Sequence, residues 1–340
     1  MDILRSALLV LALAQTGCYY LKSAYHQVGL LSDRIPVEKA LQDPELTDEQ
    51  KAKLRLAQEV MAFAEKELGL NSNGNYSSFV KLKQPYVTYV VSAAPKWELK
   101  HHIWSFPFVG KVPYKGFFVE DDAKTEEKGL QDDGLDTYMR GVSAFSTLGW
   151  FRDPLLSSML RYKEPDLVNT LIHETVHATL FIKSNADFNE RLATFLGNWG
   201  TELFYKQREG HDSPTLQAIK NENVDEKLFA EFITKELAML EAWYKSKPEQ
   251  NEDLRQSKFK DIQGRFDTEV KPRLKTRSYE NFPSLKLNNA RLLVYKTYLQ
   301  DLSKFEALAN RTGNEFRAFL EKVKQLEKHS EPEKAINDLK

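Results

Sequence analysis

One segment restricts this chain more than any other: residues 164–182, EPDLVNTLIHETVHATLFI. Pro165 suits the first turn of a helix, and no later Gly or Pro interrupts the run. Leu167, Val168, Leu171, Ile172, Val176, Leu180 and Phe181 spread apolar surface around the helix, so the spacing predicts a largely buried one. Inside it His173, Glu174 and His177 spell H-E-x-x-H. The i,i+4 spacing stacks both imidazoles on one face, where their nitrogens can share a tetrahedral ion, and Glu174 lies one step round, within reach of a water on it. That is the pattern in which an ion such as Zn2+ lowers the pKa of water towards ~7 and a carboxylate accepts the proton. Two histidines and a glutamate buried among Leu, Ile and Phe without such a partner would be costly, which weighs against an ordinary core helix.

A catalytic zinc needs a third protein ligand. The chain has a single cysteine, Cys18, so neither an intramolecular disulfide nor a thiolate cluster is possible, and any metal must be held by His and carboxylates. The longer H-E-x-x-H-x-x-G-x-x-H pattern is absent, because Leu180 and Lys183 occupy the places of its Gly and last His. Downstream, ADFNERLATFLGNWG reads as a return helix after a short turn, with Glu190 flanked by Phe188, Leu192, Ala193 and Phe195. Glu190 is therefore the expected third ligand, with Glu202 as competitor and Asn189 as a group that could orient the site.

Around these helices the chain reads as α+β, with a small, mainly antiparallel sheet followed by a helical lobe. Residues 19–84 carry helices, including a Thr47–Gln50 capping-box pattern, and end near the turn signal NSNGN. Residues 85–163 are sheet-rich: PYVTYVVS, ELKHHIWSF, KVPYKGFFV and LDTYMRGVSAFS carry strand signals, interrupted by a helix from about Asp122 to Leu130. Residues 164–340 are helical, with breaks near Gly210–Pro214, Lys247–Pro248 and Phe282–Pro283. No internal repeat or long linker divides residues 19–340, which read as one unit. Lys+Arg total 48 against 49 Asp+Glu, a net charge of -1, so nothing advertises a nucleic-acid partner. The basic and aromatic stretch 253–277 also holds Asp261, Asp267 and Glu269 and reads as a solvated helix face.

Residues 1–18, MDILRSALLVLALAQTGC, read as an export signal: Arg5, an apolar run from Ala7 to Ala14, then small residues. The run is far shorter than the roughly 20 residues of a membrane-spanning helix. Its T-G-C ending resembles a bacterial lipobox, although Gln15 stands where Leu, Val or Ile is usual. Cys18 is thus the expected lipidation site and membrane anchor, and Tyr19 after it favours the outer membrane by the enteric sorting rule.

His173, Glu174, His177 and Glu190 together resemble the gluzincin pattern, with a shorter gap between the second His and the Glu than in thermolysin-like enzymes. A fuller resemblance runs along nearly the whole chain. GCYYLKSAYHQVGLL, FAEKELGL, VSAAP, WSFPFVGKVPYKGFF, RGVSAFSTLGWFRDPLL, HETVH, FNERLATF and LNNARLLVYKTY resemble, in order, a family of bacterial lipoproteins described as predicted aminopeptidases. The resemblance implies a zincin-like fold with the H-E-x-x-H helix at a cleft, and a zinc-dependent peptidase acting on peptides at the periplasmic face of the cell envelope. One departure matters: Thr194 stands where thermolysin-like enzymes place an Asp that braces a ligand histidine.

Further roles are read as expectations. GVSAFSTLGW resembles the gluzincin edge strand that pairs with an extended peptide, which would put Ala144, Phe145 and Ser146 in the cleft. Tyr298, or Tyr295, is the candidate donor to a developing oxyanion. An aminopeptidase also needs an anionic group for the substrate α-ammonium, and Glu120, Asp121, Asp122, Asp153 and Asp187 all remain open. His101 and His102 on a strand would face opposite sides and could not chelate together. The competing readings are an envelope endopeptidase and a non-catalytic zinc-binding scaffold; the number of subunits is left open.

Overall fold

The computed structural model describes residues 19–106, 110–144, 147, 151–247, 249–299 and 302–339. Cys18, Phe145 and Ser146 lie outside the described residues. The architecture is mixed α+β, mostly helical with small sheets. In chain order it begins with α1 (19–32), β1 (Ile35–Pro36), α2 (Val37–Ala40) and α3 (Asp48–Phe63), then β2 (Ser78–Val80) and β3 (Thr88–Ala94). Next come β4 (Trp104–Phe106), β5 (Gly110–Val112), β6 (Tyr114–Phe117), α4 (Glu120–Asp132), β7 (Asp136–Val142) and β8 (Leu155–Leu156). The helical part holds α5 (Glu164–Thr179), α6 (Ala186–Glu209), α7 (Pro214–Lys245), α8 (Glu252–Arg265) and α9 (Asn289–Leu299), followed by α10 (Ser303–Arg311), α11 (Phe316–Lys324) and α12 (Pro332–Ala335). Among the described residues no helix is long and apolar enough to cross a membrane.

Local chemistry sets most of these boundaries. The capping box at the start of α3 is complete: Gln50 N donates to Thr47 Oγ1 and Thr47 N to Gln50 Oε1. Pro165 sits in the first turn of α5, and α5 ends at Thr179, three residues before the end of the apolar run, as Leu180 turns extended. The expected strand 98–106 shortens to Trp104–Phe106. His101 is drawn instead to Thr297 Oγ1 (3.2 Å) and Asp187 (3.9 Å), while His102 N donates to Ala93 O. These histidines are therefore not on a strand, and they do not chelate together.

The central sheet has the order β6-β3-β7, antiparallel throughout, with Val90 opposite Gly116 and Arg140, and Ser92 opposite Tyr114 and Tyr138. Strand alternation divides its residues cleanly. Tyr89, Val91, Ala93 and Phe117 pack with Ala123 and Leu130 of α4, whereas Val90, Tyr114, Tyr138, Arg140 and Val142 line a cleft. Helices α5 and α6 form an antiparallel pair on the other side of that cleft, backed by α3 in the main hydrophobic core. Close approach of α6 to α5 requires small residues. A Cβ on Gly200 would lie 3.0 Å from both Ile172 Cγ2 and Leu68 Cδ1, and one on Gly197 would lie 3.4 Å from His173 Cβ.

A second core joins α7, α8 and α9 to the end of β3. Its polar hub is Asp136, the first residue of β7 and 7 % exposed. Arg255 donates to it twice, at 2.5 and 3.1 Å, and Asn289 N donates at 2.9 Å. Asn289 Nδ2 reaches Pro95 O (2.8 Å) and Asn288 Nδ2 reaches Thr137 O (2.9 Å). The Asn-Asn pair thus fastens the N-terminus of α9 to the sheet. It also gives part of the basic stretch 253–277 a structural role, since Arg255 is buried instead of solvated. Asp136→Ala leaves that guanidinium without its main partner, and we expect a loss of about 3–5 kcal/mol in urea unfolding.

Candidate functional site

The turn between α5 and α6 brings the metal-type residues together. Asn189 holds it closed, accepting from Ile182 N (3.0 Å) and donating to Ile182 O (2.8 Å). Both ends of its amide bond Ile182, so Asn189 positions Glu190 by fixing the turn before it. Glu190 is then buried beside the histidine pair, while Glu202 lies two thirds of the way along α6 and accepts from Asn223. Among the described residues, His173, His177 and Glu190 form one group able to hold a metal ion.

The donor atoms fit a tetrahedral cation. His173 Nε2 and His177 Nε2 are 3.2 Å apart, and Glu190 Oε2 lies 3.4 and 3.5 Å from them. Bonds of about 2.0–2.1 Å at tetrahedral angles separate ligand atoms by about 3.3–3.4 Å. Burial pushes the Glu190 carboxyl up, but the facing His177 and His173 imidazoles outweigh it and hold the group below the usual carboxylate range. Its other oxygen accepts from Tyr114 OH (3.3 Å), a phenol that burial and Glu190 keep protonated. Tyr114 thus braces a candidate ligand from the sheet, a role hidden in the sequence because the partners are 76 positions apart. No carboxylate braces His177: its buried Nδ1 has no hydrogen-bond partner among the described residues, in keeping with Thr194 in place of an Asp.

Glu174 lines the cleft beside this trio. Burial raises its carboxyl to about 7, with His173 partly opposing and Glu190 adding to the rise. The cleft encloses about 840 Å³. Tyr298 enters from α9, and Arg140 Nη2 donates to its OH at 3.1 Å, so the phenolic proton is free to point into the cleft. Burial and the nearby Glu190 raise this phenol's pKa, keeping it a donor. Tyr295 also lines the cleft but packs in the aromatic cluster of Phe229 and Phe282. Ala144 lines the cleft and is buried.

None of the candidates for an α-ammonium anchor is among the described residues lining the cleft. Glu120 pairs with Lys124 and Asp122 with Lys22 on the outer helix, and Asp121 is exposed there. Asp153 is buried and accepts from Thr147 N, and Asp187 accepts from Thr297 Oγ1. Sequence reasoning missed Glu226, which burial raises to about 7 and which accepts from Asn198 Nδ2 (2.5 Å). It opens onto a smaller pocket, of about 250 Å³, on the far side of Asn169.

The family described as "Putative aminopeptidase" matches residues 18–337. The chain belongs to that family. The match covers the cleft-forming sheet, the α5–α6 pair and α9 alike, so the Putative aminopeptidase family spans every residue of the candidate site. Comparison with curated proteins and with solved structures found no significant match.

Metal binding tests this arrangement independently of any substrate. Glu190→Ala should abolish stoichiometric zinc uptake, and Tyr114→Phe should weaken zinc by about 10–100-fold in chelator competition.

Proposed function

We propose that this protein is a zinc-dependent peptidase of gluzincin type, an aminopeptidase as its family description suggests, tethered at the cell envelope through Cys18. The observation that carries the reading is the tetrahedral spacing of the His173, His177 and Glu190 donors, with Glu174 beside them in an 840 Å³ cleft. A bound divalent cation supplies Lewis-acid polarisation of the scissile carbonyl and makes water more acidic. Glu174 takes the proton of the attacking water on its carboxylate and returns it to the leaving amine. Tyr298 OH, oriented by Arg140, donates to the oxygen on which negative charge develops. The edge strand β7, continuing towards Ala144, offers backbone groups to an extended peptide.

The same edge, together with a cleft in which no described residue offers a carboxylate beyond Glu174 and Glu190, favours an endopeptidase as the second reading. A panel of aminoacyl amides and internally quenched peptides separates the two. On the better substrate, Glu174→Gln should lower kcat by about 10²–10⁴-fold with zinc content unchanged. Tyr298→Phe should lower kcat by about 10²–10³-fold with a smaller change in KM. Undiminished turnover by Glu174→Gln would refute the assignment.

Support for the tether comes from α1, which follows Cys18 directly and exposes Leu21, Tyr25 and Val28 at helical spacing. Cys18→Ser should shift the protein from the membrane to the soluble fraction and abolish palmitate labelling.

A further inference from the structure

The cleft has an unbalanced charge inventory. Among the described residues, the carboxylates that line it are Glu174 and Glu190, both at the metal-type centre. The other described charged residues along it are Arg140 and Arg291, and among the described residues neither forms an ion pair. Arg140 commits one nitrogen to Tyr298 OH. Arg291 lies over the Tyr138 ring, 4.9 Å from its centroid, and commits one donor to the Tyr295 phenol. A guanidinium offers five N–H donors in a planar fork matched to carboxylate, so each retains unused donors facing a half-desolvated space.

These two cations also stand at different distances from the chemistry. Arg291, Val294, Tyr295 and Tyr298 form one stripe of α9 along the cleft. Arg291 is two helical turns from Tyr298, about 10 Å along the axis. Tyr138 and Arg140 share the cleft face of β7, so the Arg291–Tyr138 contact closes the end of the wall that Arg140 begins. An extended peptide covers about 3.3–3.6 Å per residue, so about three residues fit between Tyr298 and the Arg291 fork.

We propose that Arg291, with Arg140 as the nearer cation, forms a carboxylate-binding subsite that measures the substrate, so that this peptidase prefers short peptides bearing a carboxylate within about three residues of the scissile bond. The inference rests on the peptidase reading and names its substrate class. The carboxylate is either the free C-terminus or an Asp or Glu side chain, and both present the same two oxygens to the fork.

The test is calorimetric binding to the zinc-loaded, full-length Glu174→Gln protein, using tri-alanine as free acid, tri-alanine amide and Ala-Glu-Ala amide. The free acid should bind about 10–100-fold more tightly than the amide. Arg291→Gln should erase that difference while leaving the amide's affinity unchanged, which also shows the variant is folded; Arg291→Lys should restore part of it. A gain by Ala-Glu-Ala amide over tri-alanine amide would assign the subsite to an acidic side chain. Equal affinities for all three peptides would overturn the subsite and leave the peptidase reading standing. Binding of none, while wild-type protein cleaves a panel substrate, would also overturn it. Binding of none together with a silent panel would overturn both.

Discussion

Three electron-pair donors converge within 3.5 Å of one another at the base of a cleft, two of them imidazole nitrogens and one a carboxylate oxygen. Without a shared cation such a cluster carries the cost of desolvating two imidazoles and a carboxylate, offset only by the pull of the imidazoles on Glu190. The surrounding structure is organised to hold it. Asn189 closes the turn that brings Glu190 back to the histidines, Gly197 and Gly200 let α6 approach α5, and Tyr114 reaches across from the sheet to hold the far oxygen of Glu190.

The opposite wall depends on a different buried charge. Asp136 gathers Arg255 from α8 and the first amide of α9, and the neighbouring Asn288 and Asn289 side chains fix α9 against β3 and β7. Everything α9 contributes to the cleft, from Arg291 to Tyr298, inherits its position from that anchor. The central sheet separates the two tasks by simple alternation, one face packing on α4 and the other presenting Tyr114, Tyr138 and Arg140 to the cleft.

The features legible in the sequence are those written in a few consecutive residues. His173, Glu174 and His177 share one helix, Glu190 follows after one turn, and the Thr47–Gln50 cap is a four-residue pattern. The Asn288-Asn289 pair stands within the LNNARLLVYKTY segment of the family resemblance, but its purpose is not legible there, because its partners Asp136, Thr137 and Pro95 come from β7 and the residue after β3. Tyr114 and Arg140 were unreadable for the same reason: their contacts to Glu190 and Tyr298 span 76 and 158 positions. The strand expected through His101 starts only at Trp104, and His101 instead meets Thr297 Oγ1 of α9, a partner that local β-propensity does not reveal. The acidic candidates for an α-ammonium were indistinguishable by composition, and the fold engages or exposes each of them outside the cleft.

X-ray absorption at the zinc edge of the purified, zinc-loaded protein tests the central claim most directly. The account predicts a four-coordinate ion with two imidazole nitrogens and light-atom neighbours at about 2.0–2.1 Å, and loss of one imidazole contribution in His177→Ala. An ion with six oxygen neighbours, or a spectrum unchanged in that variant, would place the metal elsewhere and contradict it.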